Sequence, residues 1–263
     1  MDSGLTPDLT SNSTPPQLKV WIAGASGFSG RAITDFLSRH PSYQPLPHIR
    51  PSSSRLARLS AEWETLGVPP YVCAWDQIEA QLHEHQPNVI VSCIGTTKRQ
   101  ARQGGGSYHE VDYALNAQLI RAAEQMSPKP HFIYISSMGA QWGAWSAYLR
   151  ARMNVEQMLS DSALGCSIIR PAFLSGESRD ERRQLESLGT QLCMSLARGL
   201  SRIGLRRLAY HIRPLDAPEL SSFIAHILER FADGQAPEQS LYLVHMIHET
   251  LSAHQLSAPL PLR

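Results

Sequence analysis

Few cysteines, no long apolar run and almost no net charge distinguish this sequence, and each absence speaks against a class of protein. The four cysteines lie far apart without a Cys-x-x-Cys pair, which argues against a zinc ribbon or disulfide framework and favours a reducing compartment. No apolar run approaches the ~18 residues needed to cross a bilayer. With 24 Lys and Arg against 23 Asp and Glu, the net charge of +1 gives no global field that gathers nucleic acid.

The composition is that of a globular protein. The chain has 263 residues, of which 42% are hydrophobic and 18% charged. This length and composition fit one large domain, or one main domain with a smaller appendage. The first sixteen residues lack an Arg-rich amphipathic pattern and a signal-peptide apolar stretch. We therefore expect a cytoplasmic protein with no integral membrane segment and no nucleic-acid partner, and we leave open a homodimer or a protein partner.

Histidine pairs are the only pattern that suggests a metal. His83 with His85, and His245 with His248 and Glu249, each lack a third defined ligand. Such histidines more often decorate a surface, so we expect no metal site.

Apolar runs alternate with helical patterns, which predicts an α/β fold: a doubly wound parallel sheet of the Rossmann type. Residues 1–17 are rich in Ser, Thr, Pro and Asp and predict a flexible tail. Residues 18–175 would form the dinucleotide-binding domain, and residues 176–263 a smaller substrate-side portion packed on it. Predicted strands begin near Leu18, Tyr43, Tyr71, Asn88, His131 and Cys166.

Two segments do not fit this pattern simply. Pro45 and Pro47 lie in the second strand, where proline removes ladder hydrogen bonds, so we expect that strand to be short or bulged. Residues 191–210 have leucines on one side and arginines on the other. They predict an amphipathic helix, which either buries one face on its own domain or serves as a peripheral membrane contact or lid over an anionic substrate.

A glycine turn, Gly24-Ala-Ser-Gly27-Phe-Ser-Gly30, follows the first strand and opens a helix. Gly24 permits a tight turn, Gly27 lets the backbone approach a pyrophosphate, and Gly30 lets the helix pack closely on the sheet. The free N–H groups of the helix N-terminus favour phosphate. The alternative is a glycine turn with a purely architectural role.

The residues after the second strand favour NADP over NAD. No carboxylate that could bind the ribose 2′-hydroxyl of NAD lies between Asp35 and Glu62. Arg50 and Arg55 flank three serines and could clamp the 2′-phosphate of NADP. An ordinary solvated basic loop remains the alternative.

The order and spacing of several segments resemble the short-chain dehydrogenase/reductase-like proteins. The segments are GASGFSGRAI, VIVSCIGTTKRQA, VDYALNAQLIRAA, HFIYISSMGA, YLRAR and IIRPAFLSG, within residues 18–176. The GxxGxxG spacing and the phrase CIGTT resemble the atypical NAD(P)-binding branch of the Tat-interacting oxidoreductase and NAD(P)H-binding type.

This resemblance implies the parts of a cofactor site. The glycine turn would hold the pyrophosphate and Arg50 the 2′-phosphate, while Trp75 and Asp76 would lie by the adenine. Cys93, Ile94 and Gly95 would line the ribose and nicotinamide side, and Pro171 would flank the nicotinamide. The implied cofactor-binding residues are Gly24, Ser26, Gly27, Phe28, Gly30, Arg50, Asp76, Cys93, Ile94, Gly95 and Pro171.

The resemblance also implies a catalytic set. Family chemistry uses a Ser and a Tyr that polarise a carbonyl, with a Lys four residues after the Tyr; here Ser137, beside Ser136, and Tyr148 match, but Arg152 replaces the Lys. A tyrosine hydroxyl, whose ordinary pKa is about 10, needs a nearby cation to exchange a proton at neutral pH. Arg152 keeps that charge and could hold the ribose, although it cannot relay a proton. Alternatively, Tyr148 and Arg152 are surface residues at a helix start.

Together these features predict an NADP-dependent oxidoreductase that acts on an unidentified carbonyl or alcohol. The replacement of Lys by Arg152 motivates an alternative, a non-catalytic NADP(H)-binding sensor or an assembly or regulatory protein. A nucleotide-sugar epimerase or dehydratase is a third option, which the short C-terminal portion disfavours.

Overall fold

The computed structural model describes residues 17–96, 106–171, 174–175, 214–235 and 238–257. Seven parallel strands form one sheet in the order β3-β2-β1-β4-β5-β6-β9, and β7 and β8 pair separately. The strands are β1 (Leu18–Ala23), β2 (Tyr43–Ile49), β3 (Tyr71–Val72), β4 (Val89–Ser92), β5 (His131–Ile135), β6 (Cys166–Arg170), β7 (Leu174–Ser175), β8 (Leu215–Asp216) and β9 (Gln239–Leu243).

Helices connect these strands and cover both faces of the sheet. They are α1 (Phe28–Leu37), α2 (Leu56–Glu64), α3 (Ile78–His85), α4 (Leu115–Glu124), α5 (Ala147–Asp161), α6 (Ala217–Ala232) and α7 (Val244–Ser257). Short 3-10 helices cover Trp75–Gln77 and Ala140–Trp145, and a π-helical turn, His109–Ala114, leads into α4. The predicted doubly wound α/β fold and its six predicted strands are confirmed.

The core has two layers because apolar side chains leave the buried strands on both sides. On one face, Ile33 of α1 and Phe223 of α6 belong to one buried cluster. On the other, Leu82 of α3, Leu119 of α4 and Leu159 of α5 belong to a second. Because all seven strands are parallel, the loops after their carboxyl ends meet at one edge of the sheet.

The expectation that β2 is short or bulged is wrong, since its residues 43–48 pair with β1 without interruption. The carbonyl of Ser42 accepts from the N–H of Leu18 in β1, and the carbonyl of His48 accepts from the N–H of Ala25 just after β1. Because successive residues of a strand direct their backbone groups to opposite sides, the backbone groups of the even-numbered residues of β2 face β1. Pro45 and Pro47 therefore face the other side, where β3 pairs only with His48 and Ile49. Their missing N–H groups remove no hydrogen bond from the ladder.

Several predictions fall outside the described residues. These are the flexible tail, apart from Gln17, and the amphipathic segment 191–210. The division of the chain at residue 175 stays a prediction. No helix in the part of the chain that the structure describes is long and apolar enough to cross a membrane.

Candidate functional site

The glycine turn lies at the carboxyl edge, between β1 and α1. Gly24 has a φ of +80°, and a Cβ added there would lie 3.0 Å from the carbonyl carbon and oxygen of Cys93. A Cβ at Gly30 would overlap the carbonyl oxygen of Gly24 and lie 2.7 Å from Cα of Ala25. Only glycine fits at both positions, so the turn exposes bare backbone and holds α1 against the sheet.

The amino end of α1 opens directly on this turn. Gly27 is its N-cap and has no side chain to occupy the first N–H groups of the helix, which lack partners within a helix. Ser26 and Phe28, on either side, are partly exposed. The predicted pyrophosphate-binding residues therefore lie together at the amino end of α1.

The basic loop after β2 reaches the glycine turn through Arg55. Its Nη1 donates a hydrogen bond to the carbonyl oxygen of Ser26 at 3.0 Å. Arg50 is exposed at the end of β2, where its carbonyl accepts from the N–H of Ser53 at 3.0 Å. Both arginines thus follow β2 at the carboxyl edge, and Arg55 contacts the turn through its guanidinium.

The predicted adenine end contains a histidine that the sequence analysis missed. His48 stacks between Trp21, at 5.8 Å between ring centroids, and Trp75, at 5.1 Å. Its Nε2 lies 3.1 Å from the carbonyl oxygen of Cys73. Burial and, to a smaller degree, the charge of Arg50 lower the pKa of His48, so an uncharged ring supports Trp75. Asp76, next in the chain, is exposed.

The loop after β4 lies beside the glycine turn. The N–H of Cys93 donates to the carbonyl of Ala23 at 2.9 Å, which joins the ends of β4 and β1. Burial raises the pKa of Cys93 to about 12, which keeps the thiol protonated. Ile94 is buried, and the N–H of Thr96 donates to Oδ2 of Asp112 at 2.9 Å. Asp112 is fully buried and was not predicted as a site residue.

Arg152 lies inside the protein, with 7% of its surface exposed. Its Nη2 pairs with Oδ1 of Asp112 at 2.9 Å, and its Nη1 donates to the carbonyl of Ile135 at 2.9 Å and to the hydroxyl of Tyr134 at 3.2 Å. Burial works against the charge, but Tyr134, Tyr148 and Asp112 raise the pKa of Arg152 above its ordinary value. The alternative of a solvated surface arginine is therefore wrong, and protein groups occupy the guanidinium that was expected to hold the ribose.

Tyr148 lies in the first turn of α5, partly exposed. Ser146 begins this helix, because its Oγ accepts from the N–H of Leu149 at 3.1 Å. The centre of the Tyr148 ring is 5.3 Å from Cζ of Arg152, and the rings of Tyr148 and Tyr108 pack edge to face with their centroids 5.5 Å apart. The structure thus brings the predicted tyrosine and its cation together.

The two serines after β5 differ in their surroundings. Ser136 is buried, and its hydroxyl donates to Glu156 of α5, which also binds Arg170 through both carboxylate oxygens. Ser137 is partly exposed, and its hydroxyl contacts only the carbonyl of Met138, at 3.3 Å, among the hydrogen bonds of the described chain. Pro171 accepts from the N–H of Met138 at 2.9 Å, which joins the ends of β5 and β6.

Comparison with known proteins identifies the family. A family model described as HIM1 matches residues 80–200. The mitochondrial protein fmp52 of Aspergillus clavatus is 35% identical over 173 residues, covering 64% of this chain and 71% of the relative. That of Aspergillus fumigatus is 30% identical over 169 residues, covering 62% and 69%. The chain belongs to the Fmp52 family.

Because these Fmp52 relatives are named as mitochondrial proteins, the expectation of a cytoplasmic location is wrong.

Solved structures share the fold of this Fmp52-family chain. The UDP-Glc/GlcNAc 4-epimerase of Campylobacter jejuni has a TM-score of 0.60 at 15% identity, covering 93% of this chain and 85% of its own. A dTDP-4-dehydrorhamnose reductase of Clostridium acetobutylicum has a TM-score of 0.53 at 15% identity, covering 86% and 74%. The resemblance to short-chain dehydrogenase/reductase-like proteins is confirmed for the fold, whereas the finer assignment to the Tat-interacting type stays a prediction.

Proposed function

We propose that this protein is an NADP-dependent oxidoreductase that transfers a hydride between the nicotinamide and a carbonyl or alcohol carbon of an unidentified substrate. The observation that carries the proposal is the bare glycine turn at the carboxyl edge, which Arg55 contacts at Ser26. A phosphate in this turn would meet both the amino end of α1 and a guanidinium.

The residues of the edge fit a nicotinamide dinucleotide. Glycine at positions 24 and 30, where a Cβ would meet the backbone of Cys93 and of Gly24 and Ala25, allows the tight turn that a pyrophosphate-binding loop needs. Arg50 and Arg55 would hold the 2′-phosphate, Trp75 would lie by the adenine, and Cys93 to Gly95 would line the other ribose. The bound cofactor would supply or accept the hydride.

Tyr148 and Ser137 would handle the substrate oxygen. Ser137 would orient the carbonyl with its hydroxyl, and Tyr148 would donate a proton to the carbonyl oxygen during reduction. The guanidinium of Arg152 lies against the Tyr148 ring, with Cζ 5.3 Å from the ring centre, and helps to hold the tyrosine in place. In this scheme Arg152 contacts the ring of Tyr148 and does not bind the ribose, because Asp112 and Ile135 occupy its guanidinium.

Turnover by a Tyr148→Phe variant tests this scheme. NADPH oxidation would be followed with a panel of aldehydes, ketones and quinones, and the variant should lose about 100-fold or more of the activity because it lacks the proton donor. Tyr113→Phe, which makes the same change at another partly exposed tyrosine, is the matched control and should keep the activity. Full turnover by Tyr148→Phe would exclude the proposed acid.

A second candidate function is an NADP(H)-binding sensor or regulatory protein without turnover. The observation that favours it is the burial of Arg152, whose guanidinium binds Asp112 and the backbone rather than facing the edge. A sensor should bind NADPH and leave it unchanged with every member of the substrate panel.

We also propose a mitochondrial location, as the names of the relatives indicate for those proteins. Fractionation of cells that express the tagged full chain tests it: recovery in the mitochondrial fraction is expected, and recovery in the cytosol alone would overturn it.

A further inference from the structure

Asp112 is a buried carboxylate to which the proposed reaction gives no role. It lies in the π-helical turn before α4, with none of its surface exposed. Burial raises its pKa, and the charge of Arg152 opposes that rise. Buried ion pairs add little net stability because desolvation offsets their attraction, and π-helical turns are often found at functional sites. Stability alone therefore does not explain why the Asp112–Arg152 ion pair is buried here.

The pair connects three pieces of the site. Oδ2 of Asp112 accepts from the N–H of Thr96 in the loop after β4, at 2.9 Å. Through Arg152 the carboxylate also reaches the carbonyl of Ile135, at the end of β5, and the helix that carries Tyr148. One carboxylate thus fixes the loop after β4 relative to the end of β5 and to the candidate acid.

Gly95 makes this connection tight. A Cβ at Gly95 would overlap Nη2 of Arg152 and lie 3.3 Å from its Cζ. The ion pair with Asp112 and the hydrogen bond to the carbonyl of Ile135 prevent the guanidinium from moving aside at little cost. The loop and the guanidinium are therefore packed as one unit.

The sheet order separates this unit from the other half of the cofactor site. The residues predicted for the adenine half, Arg50 and Trp75, follow β2 and β3 on one side of β1. Gly95 and Thr96 follow β4 on the other side, next to β5. A change at Asp112 should therefore disturb one half of a bound dinucleotide and not the other.

We propose that Asp112 is a positioning residue for the nicotinamide half of the cofactor, acting through Thr96 and Arg152. This inference rests on the proposed function, since it presumes a dinucleotide at the carboxyl edge. The carboxylate does not touch the cofactor; it holds the loop that does.

Calorimetric titration of the full chain with NADPH and with adenosine 2′,5′-bisphosphate, which lacks the nicotinamide half, tests the proposal. Asp112→Asn should weaken NADPH binding about tenfold or more, because the loop loses its anchor. The same variant should bind the bisphosphate within about twofold of the wild type, because that site lies on the other side of β1. If the wild type prefers NADH, the matching pair of ligands is NADH and AMP.

Two further variants make the result decisive. Gly95→Ala keeps every charge and displaces the guanidinium, so it should show the same selective loss; because Gly95 also lines the proposed ribose site, its unchanged NADPH affinity would count against the inference even if Asp112→Asn does not fold. Ser167→Ala, which removes a buried hydrogen bond to His131 in the amino-terminal half of β6, controls for general destabilisation and should change neither affinity. Equal loss of both ligands, or no loss in folded Asp112→Asn and Gly95→Ala, would overturn the inference. A wild type that binds neither ligand would instead overturn the proposed function.

Discussion

Replacing Glu156 by glutamine removes one partner of a buried ion pair at the carboxyl edge. Glu156 and Arg170 are 8% and 14% exposed at their side chains, and Nε of Arg170 donates to Oε1 at 2.9 Å. Ser136 donates to the same oxygen. The amide keeps one acceptor but loses the charge, which leaves the Arg170 guanidinium buried without a counter-ion.

The expected cost is about 3 kcal/mol, the lower end for a broken buried pair, because Arg170 keeps some contact with solvent. At about 2–4 °C per kcal/mol for a chain of this size, the melting temperature should fall by about 6–12 °C. Urea denaturation and calorimetry of Glu156→Gln would measure both quantities.

A double variant separates the pair from the packing around it. Glu156→Leu combined with Arg170→Met removes both charges and keeps apolar volume, so its free energy of unfolding should lie within about 2 kcal/mol of the wild type. A Glu156→Gln protein as stable as the wild type would refute the reasoning, because it would show that solvent already compensates the guanidinium.

Two other predictions concern the turn and the pH dependence of stability. Gly24→Ala should lose more stability than Gly67→Ala, since both residues have a positive φ but only Gly24 meets backbone, at Cys93; equal losses by urea denaturation would contradict this. His131 is buried, and burial lowers its pKa from 6.5 to about 4, so the unfolded chain binds a proton that the folded chain does not. Stability should fall as the pH drops from about 6.5 to about 4, with about 2 kcal/mol lost between about pH 7 and pH 5. His131→Gln should remove that part of the loss, and an unchanged pH dependence of urea unfolding would exclude His131 as its source.

The strands could be predicted because local patterns determine them. Six apolar runs of strand length, separated by helical patterns, leave a parallel sheet as the simplest arrangement. The length of β2 could not be predicted, because the cost of Pro45 and Pro47 depends on which neighbour their backbone faces. They face β3, which has only two residues and lies more than twenty residues further along the chain, so no ladder hydrogen bond is lost.

The part of the candidate site that lies in one contiguous motif could be predicted from the sequence. The parts that form where distant segments meet could not. The glycine turn is contiguous, so its geometry followed from spacing alone. Arg152 was noticed only as a departure from a motif, because its partners Asp112 and Ile135 come from other elements of the sheet edge. His48 carried no signal in the sequence, since its stacking between Trp21 and Trp75 exists only in the folded chain.

Titration of the purified protein with NADPH and NADH, followed by fluorescence or calorimetry, tests the central claim most directly. We expect NADPH to bind about tenfold or more tightly than NADH, because the 2′-phosphate adds charge-assisted hydrogen bonds with Arg50 and Arg55. A preference for NADH would refute the phosphate clamp alone. Failure to bind either nucleotide would contradict the account, because the glycine turn would then be architecture without a ligand.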